Sequence, residues 1–214
     1  MTRSRYATAM SGAVSFDQAA STLASVGARF YARGWVLGTS GNFSAVTSRR
    51  PLRLAITPSG AHKGTLAADA ILPIDSRARV VGRARGRSSA ETLLHLEIVR
   101  ARHAGAVLHT HSVWSTMLSD RHAGAGGFAI EGYEMLKGLD GVQSHDHREW
   151  IPVVGNDQNM PRLARTVRSA LREFPKAHAF LLARHGLYTW GRTIEEAERH
   201  VEILEFLLEV KGRT

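Results

Sequence analysis

Along the N-terminal third of the chain, apolar residues first recur about every four positions and then about every two. Phe16, Ala20, Leu23, Val26 and Phe30 keep helical spacing as far as Gly34, and Ser15 followed three residues later by Gln18 makes a capping box. The spacing predicts a first helix there. The β-prone runs FSAVT and LRLAI, joined by the turn-like SRRP, predict a hairpin, and AILPI with RVVG predicts a second. Ser88 with Glu91 reads as another capping box, opening a helix with Leu94, Ile98 and Ala101 on its buried side that stops near Gly105. The apolar run AVLHTHS (106–112) follows as a strand. Pro161 suits a first helical turn, with Leu163, Val167, Leu171 and Phe174 at helical spacing behind it. HAFLLA and LYTW are strands, and Thr193 with Glu196 caps a last amphipathic helix from Ile194 to Val210.

Hairpins mixed with single strands and flanking helices predict an α/β fold, a three-layer αβα sandwich around a mixed, largely antiparallel central sheet. With 214 residues, 43% of them hydrophobic, one domain over residues 15–214 is expected behind a flexible N-terminus, residues 1–14. No apolar stretch approaches a membrane span, and the opening MTRSRYATAMSGAVS has two arginines but no apolar signal core, so a cytoplasmic protein with no membrane partner is expected.

Cysteine is absent, which excludes disulfides and thiolate zinc clusters and leaves His, Asp and Glu as metal ligands. The balance of 28 basic and 19 acidic residues gives +9, mostly from arginine. One denser run, SRARVVGRARGRSS (76–89), lacks aromatic residues for base stacking and accompanies no nucleic-acid reading motif. It reads as a solvated arm, no nucleic-acid partner is expected, and the surplus charge suits a phosphorylated substrate.

In a strand, alternate side chains share a face, so His109 and His111 point one way and Leu108 and Thr110 the other. An isolated pair of this kind is usually two hydrogen-bonded histidines at a strand end. A third imidazole changes that reading: His185 stands just after a strongly apolar strand and just before Gly186. Three imidazoles leave a zinc ion an open fourth position, as in catalytic sites, although a His-rich site accepts several divalent ions. A second pair, His145 and His147, falls in polar sequence expected to be a loop. His62, His95, His103, His122, His178 and His200 are expected to be surface or core residues without comparable partners.

Taken in order, GTSGNFS, ITPSG, SSAE, HTHS and RHG resemble the class II aldolase/adducin head family, over nearly the whole chain after the first dozen residues. Within it, SAETLLH, EGYEMLKGL, SHDHREW and GNDQN are similar to a branch of sugar-phosphate dehydratases. The resemblance implies one zinc ion per subunit on His109, His111 and His185, and a small phosphorylated sugar as substrate. It implies Glu134 as the catalytic acid/base, which would serve best in a partly apolar pocket with a raised pKa. Glu91 lies where related aldolases carry their acid/base glutamate, although its helix-cap role would also explain it. Gly41, Asn42, Ser59 and Gly60 carry over as substrate-side or phosphate-binding residues, with Ser89 and Lys63 beside them. Where the aldolases usually read PSSE this chain has Ala90 before Glu91, one serine donor fewer. A homotetramer with its active site near a subunit boundary is implied by resemblance alone. Trp114, Met117 and Phe128 are equally well explained as pocket lining or as core. An aldolase or epimerase of the same family, and a non-catalytic adducin-like module, are the rival readings.

Overall fold

The computed structural model describes residues 14–214, so the N-terminal segment expected to be flexible lies outside the described residues except for Val14. Helix α1 (Phe16–Ala32) starts where the capping pattern places it, with the Ser15 hydroxyl accepting the Gln18 backbone N–H at 3.3 Å. Its Leu23, Val26 and Phe30 are fully buried. Strands β1 (Asn42–Arg49) and β2 (Leu52–Ile56) form the first expected hairpin, with Ala45 opposite Ala55. Strand β3 (Leu72–Asp75) pairs antiparallel with β2. The second expected hairpin does not form. The Asp75 carboxylate accepts the backbone N–H groups of Arg77 and Arg79, closing a tight turn, and RVVG contributes an isolated Ile74–Val80 bridge instead of a strand.

Helix α2 (Thr92–Arg102) departs from expectation at its start. Glu91 occupies the cap position, but its side chain makes no capping hydrogen bond and turns away toward the end of the sheet. Strand β4 (Ala106–Thr110) follows, then helix α3 (Val113–His122), β5 (Gly127–Glu131) and β6 (Arg148–Val154), the last beginning inside the stretch expected to be loop. Helix α4 (Met160–Glu173) is capped by the Asn159 side chain with Pro161 in its first turn. Strands β7 (Ala179–Leu182) and β8 (Gly186–Gly191) form a hairpin, and α5 (Ile194–Arg213) closes the chain, capped by Thr193.

The strands lie in the order β3-β2-β1-β4-β8-β7-β6-β5, and β6 with β7 is the one parallel pair among the described residues. Leu94 and Ile98 of α2 and Leu163, Val167 and Leu171 of α4 pack on one face with Val107, Phe180 and Tyr188. On the other face, α1 and the first half of α5 bury Phe43, Ala45 and Leu108, while α3 and the rest of α5 bury Ile151, Leu181 and Leu187. The three-layer sandwich is therefore the observed fold. Each of these large apolar side chains contributes about 1.5–3 kcal/mol by leaving water. No helix among the described residues is long and apolar enough to cross a membrane.

Candidate metal centre

The alternation along β4 sorts its side chains between the two cores. Val107 faces α2 and α4, Leu108 faces α1 and α5, and Thr110 donates to Glu205 of α5 at 2.6 Å. His109 consequently points to the α2 side. Because β4 ends where its antiparallel partner β8 begins, with His109 opposite Tyr188, His111 and His185 emerge at the same edge of the sheet. The three Nε2 atoms converge: His109 to His111 2.8 Å, His111 to His185 3.1 Å, His109 to His185 3.3 Å. Gly186 is required beside them, since a Cβ there would lie 2.0 Å from the Thr110 carbonyl oxygen.

Their protonation argues for a cation. The His109 Nδ1 lies 2.9 Å from the Leu187 carbonyl oxygen, which can only accept, so Nδ1 carries the proton and Nε2 presents a lone pair. Burial pushes His109 well below its ordinary pKa, and burial with the neighbouring His185 brings His111 down to about 4. The His109 Nε2 lone pair therefore points at the place where the other two Nε2 atoms meet, as a metal ligand's would. Donor atoms and spacing fit a divalent ion, and His111 and His185 are only partly buried. Tyr188 fixes the plane of His109 by stacking on it, centroids 3.9 Å apart and 12° from parallel.

Glu91 completes the cluster. Its carboxylate lies 3.1 Å from His185 Nε2 and 3.7 Å from His109 Nε2, and accepts from Asn42 Nδ2 at 2.5 Å. Burial alone would raise its pKa. The hydrogen bond with His185, the facing His109 and His185 rings and the Asn42 amide outweigh that and hold it below the usual carboxylate range. Asn42 is itself held: its Oδ1 accepts from His95 Nε2, and His95 Nδ1 takes the Ser44 hydroxyl at 2.8 Å. Fully buried and lowered to about 4 by burial, His95 is a neutral link in this chain and not an unpartnered core residue. The sequence did hold a sign of this, since Glu91 and His95 stand four residues apart at the start of α2.

Two loops expected to meet substrate adjoin the cluster. Gly41 has φ +71° and its missing Cβ would lie 2.6 Å from the His109 carbonyl oxygen, so this position needs glycine twice over. Lys63, buried, donates through Nζ to the carbonyl oxygens of Thr39 at 3.1 Å and Ala61 at 2.8 Å, tying the 39–42 loop to the turn holding exposed Ser59 and Gly60. Desolvation lowers its pKa to about 8. Ser59 N–H donates to the Arg87 carbonyl oxygen at 2.8 Å, which brings this turn beside Ser89, whose hydroxyl accepts the Glu91 N–H.

Glu134 lies apart. It sits on the short 3-10 helix Glu134–Gly138 with its side chain 72% exposed, paired to Lys137 at 2.6 Å and facing His145 at 3.8 Å. The Lys137 hydrogen bond holds its pKa below the usual value, so the partly apolar pocket expected of it is not found within one chain. Phe128 belongs to the core with Leu118 and Ile151, whereas Met117 is exposed. His147 and His178 are not isolated either, for both contact buried Glu149.

A mixed sheet carrying three convergent imidazoles and a carboxylate at one edge is the setting of a metal-dependent enzyme. The chain belongs to the Class II Aldolase and Adducin N-terminal domain family, whose model matches residues 21–211. It is 44% identical, over 92% of its length and 95% of the relative's, to a protein of Methylococcus capsulatus named methylthioribulose-1-phosphate dehydratase. A protein of the same name from Marinobacter nauticus is 41% identical over 93% of this chain and 95% of its own. Among solved structures, L-fuculose-1-phosphate aldolase from Thermus thermophilus superposes with a TM-score of 0.70 at 24% identity, covering 91% of this chain and 94% of that one. At that identity the likeness speaks for the fold.

Proposed function

We propose that this chain removes water from methylthioribulose 1-phosphate to give 2,3-diketo-5-methylthiopentyl 1-phosphate, a step of methionine salvage. The observation that carries the proposal is the 44% identity, along 95% of its length, to a relative named for that dehydratase activity. The proposed site comprises His109, His111 and His185 as ligands of one Zn²⁺, with Glu91 and Glu134 moving protons. A divalent cation held by the three imidazoles supplies Lewis-acid polarisation of the substrate ketone, which acidifies the neighbouring C–H.

Glu91 takes that proton in this reading, which is supported by its being ionised at neutral pH and held by Asn42. Gly41, Asn42, Ser59, Gly60 and Ser89 bind the phosphate and sugar oxygens, and the buried Lys63 ammonium contributes to phosphate binding through its positive charge from behind the two loops it ties together. Glu134 keeps the role given by resemblance, protonating the departing hydroxyl before the enol ketonises. In the cytoplasmic homotetramer proposed here, a neighbouring subunit over the exposed Glu134 would raise its pKa toward the range a proton donor needs.

An aldolase reading draws support from Glu91, which stands in the imidazole cluster at the position where related aldolases carry their acid/base. Incubation with methylthioribulose 1-phosphate and with fuculose 1-phosphate, followed by mass analysis, separates the two. The dehydratase reading expects loss of one water from the first substrate and no change in the second. Carbon–carbon cleavage of either would overturn it.

A further inference from the structure

At the opposite end of β7 from His185, three side chains converge on a point that the proposed reaction does not use. Glu149, on β6 and only 2% exposed, directs Oε2 at His147 Nε2, 2.7 Å away, and at His178 Nδ1, 2.9 Å away. Its Oε1 accepts the His178 backbone N–H at 2.9 Å. The other ring nitrogen of His178, Nε2, lies 2.8 Å from the Asp140 carbonyl oxygen and so must carry a proton. A neutral His178 therefore turns the Nδ1 lone pair toward a carboxylate oxygen. Such a contact holds only if a positive charge lies there, either a second proton on the ring or a metal ion.

We propose that His147, Glu149 and His178 form a second divalent-cation site, separate from the imidazole trio. The donor set, two imidazoles and a carboxylate, is one that zinc accepts with a solvent molecule in the fourth place, and the three ligand atoms lie within 4.8 Å of one another. The outer contacts are those that ready ligands for metal: the His178 ring is oriented by a backbone carbonyl, and the carboxylate oxygen left free is held by a backbone N–H. His147, 31% exposed, leaves an entry path from solvent. The two contacts of Glu149 Oε2, 2.7 and 2.9 Å, are shorter than the ~3.3 Å that ligands about 2 Å from a tetrahedral ion would keep, so each ring would move slightly away from the carboxylate on loading. A metal here would pin the segment from Asp140 to His147 onto the β6–β7 edge.

The test is a count of metal. The full-length protein is stripped with a chelator, equilibrated with Co²⁺, freed of unbound ion by gel filtration and analysed for cobalt per chain. Two equivalents are expected for the wild type, one for His147→Asn, one for His185→Ala and none for the double variant. Because His147 is partly exposed, His147→Asn keeps the fold, and Glu149→Gln provides a second loss of one equivalent. A wild type holding one equivalent that His185→Ala abolishes and His147→Asn leaves intact would overturn the proposal, making the cluster a protonated ion pair. One equivalent lost only with His147→Asn would sink the trio as the metal centre and leave this site standing.

Discussion

Replacing Glu205 by Gln should make the protein gain stability relative to wild type as pH rises. Glu205 is buried on α5 beneath the strand that presents His109 and His111, and its Oε1 accepts from the Thr110 hydroxyl. Burial raises its pKa to about 7, with the Ser112 and Thr110 hydroxyls opposing the shift only in part. The folded protein then keeps a proton that the unfolded chain gives up near 4.5. A raised folded-state pKa contributes stability that is complete below the unfolded value and lost as pH climbs through the folded one. At 1.36 kcal/mol per unit, the roughly 2.5-unit gap amounts to about 3 kcal/mol between pH 4.5 and pH 7.5. Gln has nearly the same shape, accepts from Thr110 in the same way and does not titrate, so at the acid end the two proteins should agree within about 1 kcal/mol. Urea unfolding of both at fixed protein concentration, at unit intervals from pH 5 to 8, reads the difference directly. A difference that stays flat with pH, or a wild type that gains on Glu205→Gln as pH rises, would show that Glu205 is ionised in the fold and refute the reasoning.

Three further outcomes follow from the site. Glu91→Gln should lower dehydration turnover by about 10²–10⁴-fold while bound metal stays near the wild-type amount, measured by steady-state kinetics beside metal analysis. Glu134→Gln should lower turnover on a similar scale while bound metal stays near the wild-type amount, because its side chain lies apart from the imidazole trio and pairs with Lys137. Gly41→Ala should cost about 1–2 kcal/mol from the left-handed backbone alone, and more from its Cβ meeting the His109 carbonyl oxygen. Its unfolding midpoint and its metal content should fall together.

Where local pattern and tertiary packing agree, the chain is legible. Helices α1, α4 and α5 carry caps and one apolar stripe each, and the β1–β2 hairpin has a turn between two β-prone runs. The stretch from 112 to 160 is harder. Helix α3 exposes Val113 and Met117 while burying Ser115 and Ser119, which blurs its periodicity, and β6 opens with Arg148 and Glu149 and contains Pro152. Glu91 misleads for a different reason. A Ser and a Glu three apart look like a cap from sequence, and nothing local records that Asn42 and His185, drawn from two other segments, hold the carboxylate elsewhere. His147 and His178 are far apart in the chain and meet only because β6 and β7 lie side by side. The trio of His109, His111 and His185 is within reach because strand alternation puts two of its members on one face and the third stands between an apolar strand and Gly186.

The most direct test of the central claim is the turnover of methylthioribulose 1-phosphate by His185→Ala. His185 is partly exposed on a turn, unlike His109 in the core, so its loss spares the fold and removes one of three proposed ligands. The account predicts that wild type releases a product lighter by one water and that the folded variant releases none and has lost the metal of that site. Wild-type dehydration by a variant with no metal on its two remaining imidazoles would contradict it.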